Sequence, residues 1–137
     1  MLTLIRMALL SAMALATTAQ ATPRDEVLAG YATQARADDA AFAGFSAARG
    51  EALHRERHSG GKPDSPSCTS CHGDNTRAAG RTPVGKAIDP VAVSAAPTRY
   101  TDAAKVEKWF RRNCREVLGR ECSAREKGDW LTYMITQ

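Results

Sequence analysis

The chain has little of what an all-protein core is usually made from: three Phe, three Tyr and two Trp in 137 residues. A chain so poor in aromatic side chains gains much from a large apolar cofactor at its centre. Strand signals are nearly absent, which removes sheet-based architectures and the β-α-β setting of a thioredoxin-type thiol pair. No apolar run is long enough to cross a bilayer. Nineteen Lys and Arg against fifteen Asp and Glu leave a net charge of only +4, without aromatics interleaved among the basic residues. That balance argues against a nucleic-acid surface. The length fits one domain.

Part of that length is not fold. Residues 1–21 carry a basic start at Arg6, an apolar run from Met7 to Ala16 and a close at Ala19-Gln20-Ala21, the small-x-small pattern of a signal-peptidase site. The expectation is a signal peptide over 1–21, cleavage after Ala21, and a mature domain over 22–137 in a periplasm, with no membrane span. In that oxidising space paired cysteines persist as disulfides.

Four cysteines are present, at 68, 71, 114 and 122. Cys68, Cys71 and His72 form C-x-x-C-H, the attachment signature of c-type haem. Two thiols on one turn reach both vinyl groups of a haem, and the histidine that follows presents its imidazole to the iron. A zinc half-site needs a second ligand pair, and Cys114 and Cys122 lack that spacing. A disulfide across a two-residue spacer is strained. Cys114 and Cys122, separated by a short loop, are most simply a disulfide; the alternative is an exposed redox-active pair.

The rest of the chain reads as short helices. Residues 23–37 carry Val27, Leu28 and Tyr31 on one side, and Ser46 is placed to cap a second helix with Phe45 as its staple. Residues 58–67, rich in Gly, Pro and Ser, form a loop, and residues 73–100, broken by Gly80, Pro83, Gly85, Pro90 and Pro97, form another. Thr101 is expected to cap a helix that Gly119 stops, and Ser123 with Glu126 forms a capping box for a terminal helix bearing Trp130, Leu131 and Met134. The expectation is all-α: four to five short helices around one covalent haem.

With His72 as proximal ligand, function depends on the residue across the iron. Beyond the signal the single methionine is Met134, whose surroundings mark it as a core side chain, and residues 73–100 contain no methionine. His54 and His58 lie at a charged helix end, where a solvated ring is the common case, and Lys86 is a remote option. Asn113 falls at helical spacing with Val106, Trp109, Phe110 and Val117, on a face expected to be buried. A buried amide without a partner is unfavourable. It is therefore either hydrogen-bonded to backbone or a haem propionate, or it is an iron ligand anchored by the neighbouring cysteine.

The segments KPDSPSCTSCH, TPVGKAIDPVAVSAAPTRYTDAAKVEKWFRRNC and VLGRECSAREKGDWL closely resemble the oxygen-binding c-type cytochromes of the sphaeroides haem protein type. The resemblance spans roughly the whole mature chain and is most specific from Thr82 to Leu131. It implies a class I cytochrome c fold with one haem c, His72 as proximal ligand, Asn113 as distal ligand and a Cys114–Cys122 disulfide. It also implies that the asparagine binds ferric iron and leaves on reduction, opening a site for a diatomic gas, oxygen or nitric oxide. The partners it implies are a dihaem cytochrome c or a membrane cytochrome b. One departure lies at Pro90-Val-Ala-Val-Ser94, where family members tend to have Pro-Leu-Ala-Pro-Ser.

Two functions follow: redox-gated gas binding joined to electron transfer, or a simple low-spin electron carrier with a permanent sixth ligand. A gas sensor lacks an attached output domain. An enzyme acting on oxygen or nitric oxide requires a general acid in the distal pocket, and the sequence places none.

Overall fold

A computed structural model describes residues 20–137. The expected signal peptide lies, but for its last two residues, outside that range. The described chain is helical, in the order α1 (Pro23–Asp38), α2 (Ala47–Arg55), α3 (Thr69–His72), β1 (Gly80–Arg81), β2 (Ala87–Ile88), α4 (Ala103–Leu118) and α5 (Ala124–Thr136).

The helix ends follow local chemistry. Thr22 caps α1 and is tied back by Asp25 in a capping box, with Pro23 at the first helical position, where its missing N–H costs nothing. Ser46 accepts the Arg49 amide at the start of α2, and Ser123 with Glu126 forms the expected box at α5. The α4 cap differs from expectation. Asp102, not Thr101, accepts the Lys105 N–H (3.0 Å), while the Thr101 hydroxyl donates to the Thr98 carbonyl (2.9 Å). A carboxylate at this position also complements the positive end of the helix. Gly119 ends α4 at φ 73°, a left-handed conformation, and its N–H returns to Arg115 O at 3.2 Å.

The loop over 73–100 contains a feature not anticipated from sequence, a two-residue antiparallel pairing of β1 with β2, Gly80 opposite Ile88 and Arg81 opposite Ala87. Two rungs are too short for a periodic signal.

Helix α5 is the hub. It packs on both α1 and α2, and its Leu131 and Met134 are fully buried. Val27, Tyr31, Val106 and Leu131 join α1, α4 and α5, flanked by Phe110, Tyr100 and Trp130. Met134 packs with Val91 and Tyr133, the core role expected of it. Val91 and Ala92, at the family departure, are buried and both donate backbone N–H to Thr76 O, so the loop is anchored there.

Two polar knots reinforce the hub. The buried Asp129 carboxylate accepts from Ser46 N–H (2.7 Å) and from Arg49 Nε (2.7 Å) and Nη2 (2.8 Å). Lys127 Nζ donates to both oxygens of Glu107 (2.8 and 3.0 Å), which also accepts from Tyr31 Oη (2.9 Å). The second knot ties α1, α4 and α5 at one point. Lys127 is buried, and pairing is what makes a buried ammonium tolerable.

Candidate haem site

The C-x-x-C-H segment is the single turn α3. Hydroxyls shape its start: Ser67 Oγ lies 2.7 Å from Thr69 Oγ1 and 3.0 Å from Ser70 Oγ, and Ser70 Oγ accepts the Ser67 N–H at 3.2 Å. The turn closes through His72 N–H to Cys68 O (3.1 Å), and Gly73 N–H returns to Thr69 O (2.9 Å). Strand β1 lies directly on it; a side chain at Gly80 would collide with the Cys71 carbonyl and crowd the His72 Cα.

Cys68 and Cys71 are free thiols, not bonded to each other. Burial pushes the Cys68 thiol up to about 11. Burial also raises Cys71, helped by the Glu116 and Asp64 carboxylates. Such neutral thiols lack the thiolate character of a redox-active pair. Among the described residues no group of three or more His, Cys, Asp or Glu is arranged to hold a bare metal ion.

Burial holds the His72 imidazole down at about 4, with the nearby His54 ring and Arg99 guanidinium acting in the same direction. The ring is therefore neutral near pH 7, with a lone pair free for a metal, as an iron ligand requires. Two neutral thiols and a neutral imidazole on one turn fit the chemistry of a covalently attached c-type haem.

His54 corrects the reading of the charged helix end. It is fully buried rather than solvated. Its Nδ1 accepts from Trp130 Nε1 (3.2 Å), so Nε2 carries the proton and faces Gly73 O at 3.3 Å. One side chain thus joins α2, α5 and the exit of the motif. The sequence signal for it is the spacing Gly50 to His54, one helical turn on the face that α2 buries. His58 lies in the following loop with its backbone N–H on Pro66 O (2.7 Å), and its Nε2 is shielded from solvent without a hydrogen-bond partner. Lys86 is exposed in the turn between the strands.

Asn113 stands on α4, and here too expectation and structure differ. Val106, Cys114 and Val117 are buried and Phe110 is half-buried, but Asn113 is exposed and Trp109 is 45% exposed. The reason is angular. At about 100° per residue, Val106, Phe110 and Val117 share an arc of about 40°, and position 113 falls just outside it. Asn113 therefore borders the buried stripe. The residue after it is fixed: Cys114, 5% exposed, is bonded to Cys122. The expected disulfide is present.

A series of ring contacts joins the motif to α4. Centroids lie 6.4 Å apart for His72 and His54, 6.1 Å for His54 and Trp130, and 5.6 Å for Trp130 and Phe110, the residue one turn before Asn113. The loop ahead of the motif also meets α4, where Lys62 N–H donates to Glu116 O at 2.7 Å. The fold thus sets the motif and the Asn113 helix around common neighbours.

Comparison with known proteins agrees. A family model described as a domain of unknown function (DUF1924) matches residues 40–134. Cytochrome c-type protein SHP of Cereibacter sphaeroides is 48% identical over 112 residues, 82% of this chain and 82% of that protein. Cytochrome c'' of Methylophilus methylotrophus is 39% identical over 71 residues, 51% of this chain and 49% of its own length. The structure of oxidized SHP, described as an oxygen binding cytochrome c, superposes with a TM-score of 0.78 at 46% identity, covering 85% of this chain and 98% of that one. Oxidized cytochrome c'' from Methylophilus methylotrophus superposes with a TM-score of 0.74 at 28% identity, covering 84% and 94%. Near-half identity across four-fifths of both sequences, on a shared helical fold, means that the chain belongs to the DUF1924 family and, within it, to the SHP-type cytochromes, which carry one haem c per chain.

Proposed function

We propose that this monohaem cytochrome is exported by residues 1–21 to the periplasm and works there as domain 22–137, binding a diatomic gas when reduced and exchanging electrons with another cytochrome. Cys68 and Cys71 would hold the haem through thioethers, and His72 and Asn113 would offer the two protein ligands to its iron. The haem, when bound, would supply a ferric/ferrous couple able to carry an electron and to bind a gas. Asn113 offers an amide oxygen, a hard and weak neutral donor that suits ferric iron and is released more readily from ferrous iron. The NH2 group of the same side chain would be available to donate a hydrogen bond to oxygen or nitric oxide.

The observation that carries this reading is Asn113 itself, an exposed amide at the edge of an apolar stripe, directly before a buried, disulfide-bonded cysteine. A rigid neighbour keeps a weak ligand in range. The similarity to SHP, whose structure is described as that of an oxygen binding cytochrome c, supports the gas-binding part. The electron partner, a dihaem cytochrome c or a membrane cytochrome b, follows from the family resemblance.

A second reading, an electron carrier with a permanent sixth ligand, is favoured by the unpartnered, shielded Nε2 of His58 in the loop ahead of the motif. Optical spectra of the reduced protein with and without carbon monoxide separate the two. Gas-dependent change from a high-spin ferrous spectrum is expected; a low-spin ferrous spectrum indifferent to the gas refutes redox gating. Asn113→Ala is expected to leave ferric haem high-spin or water-ligated. A low-spin ferric spectrum retained in that variant and lost in His58→Ala assigns the position to His58 instead.

A further inference from the structure

The charge of this protein is not spread over it. Residues 20–137 contain eighteen Lys and Arg and fifteen Asp and Glu; α4 holds five of the first and two of the second, leaving thirteen of each elsewhere. The whole net charge of the described chain therefore sits on one helix. The side chains sharpen the segregation. Glu107 is bound by Lys127 and Tyr31, and Glu116 by the exposed Lys62 (3.1 Å), so both acids of α4 have their hydrogen-bonded partners outside the helix. Lys105, Lys108, Arg111 and Arg112 are exposed and have no ion-pair partner among the described residues; Arg115 is paired with Glu121. At about 100° per residue these five positions fall within an arc of about 120°. Arg112 lies over the Trp109 ring (5.6 Å), and Trp109 separates this strip from Asn113.

We infer that the outer face of α4, centred on Lys108, Arg111 and Arg112, is the docking surface for the acidic face of a protein redox partner. Its electron-transfer role rests on the function proposed above. Like charges clustered on one face raise the encounter rate with an oppositely charged partner and orient it before contact. Here that orientation brings the partner to the helix that carries the candidate distal ligand. A protein is favoured over an anionic membrane because the strip is flanked by a single partly exposed aromatic, Trp109, and offers no apolar face to insert.

The test is a titration of the 15N-labelled holoprotein with short poly-L-glutamate at low salt, followed by amide shifts. Saturable shifts confined to α4 and the Trp109 indole are expected, and they should fade as salt is raised. The triple variant Lys108→Glu, Arg111→Glu, Arg112→Glu should bind about tenfold more weakly or less, while Arg57→Glu, an exposed charge elsewhere, should bind as the parent does. Haem content and ferric spectrum, unchanged in the triple variant, guard against a folding defect. Shifts on another face, no saturable shift, or equal loss in Arg57→Glu would overturn the inference. So would α4 shifts with phosphatidylglycerol vesicles and none with poly-L-glutamate, which assigns the face to a membrane. Failure of the gas-binding reading appears in the optical spectra and leaves this shift map intact.

Discussion

The Cys114–Cys122 bond closes a loop of sequence separation 8 around the end of α4, one residue from Asn113. Its contribution can be worked from loop-closure entropy. A cross-link of that length removes about 8 cal/mol/K from the unfolded chain, or about 2.5 kcal/mol at 25 °C. Replacing both cysteines by alanine should lower unfolding free energy by at least that amount, since Cys114 is also buried, and lower Tm by about 10 °C for a domain of this size. Guanidinium unfolding of parent and variant, followed by far-ultraviolet circular dichroism, measures the loss. A second readout separates anchor from simple staple. If the bond positions Asn113, the ferric variant gains a high-spin fraction well below its unfolding midpoint, because the last turn of α4 frays locally first. A loss under about 1 kcal/mol refutes the entropic account. A full loss of stability with the ferric spectrum untouched refutes the anchoring role.

Other outcomes follow from the same contacts. His54→Leu removes the acceptor of the half-buried Trp130 N–H and the donor to the Gly73 carbonyl and should cost about 1–3 kcal/mol by chemical denaturation. A variant of undiminished stability but altered ferric spin state would make His54 a ligand rather than a bridge. Hydrogen bonds from Arg120, with those of the capping box, hold the Glu126 carboxyl below its usual value near 4.5. A depressed folded pKa gives stability that is present above the unfolded value and lost as pH falls through the folded one. Glu126→Gln should therefore cost about 1 kcal/mol near neutral pH, and its Tm should converge on the parent's in acid; a constant gap from pH 7 to pH 3 would contradict this.

The parts of the molecule legible in the sequence are those decided within a few residues. Ser46 and Ser123 cap where they stand, Gly119 takes the left-handed turn, and C-x-x-C-H forms its own turn. Expectation and structure part where two adjacent residues compete for one cap, or where neighbours distant in the chain decide. Asp102 outcompetes Thr101 because an ionised oxygen is the stronger acceptor for the first amides of α4. His54 reads as solvated from HRERH, yet the Trp130 and Gly73 groups that claim it lie 76 and 19 residues away. Helical spacing puts Asn113 near its true angle, but whether a border position is covered depends on the loop and helix opposite. The basic cluster Lys105, Lys108, Arg111, Arg112 and Arg115 is legible in the sequence, where it hints at an acidic partner and a solvated helix face explains it equally well; what the sequence does not show is which partners hold Glu107 and Glu116.

The position of α5 in the chain has a consequence for timing. Helices α1 and α2 each find their main partner in α5, the thirteen-residue helix furthest along the described chain, and the buried Asp129 that receives the Ser46 amide lies 83 residues downstream of it. A fold closed by such distant contacts cannot be completed from its N-terminal portion. Until α5 has docked, α1 and α2 lack their main partner, and His54, which links α2 to the carbonyl at the exit of the C-x-x-C-H turn, lacks the Trp130 donor that fixes its ring.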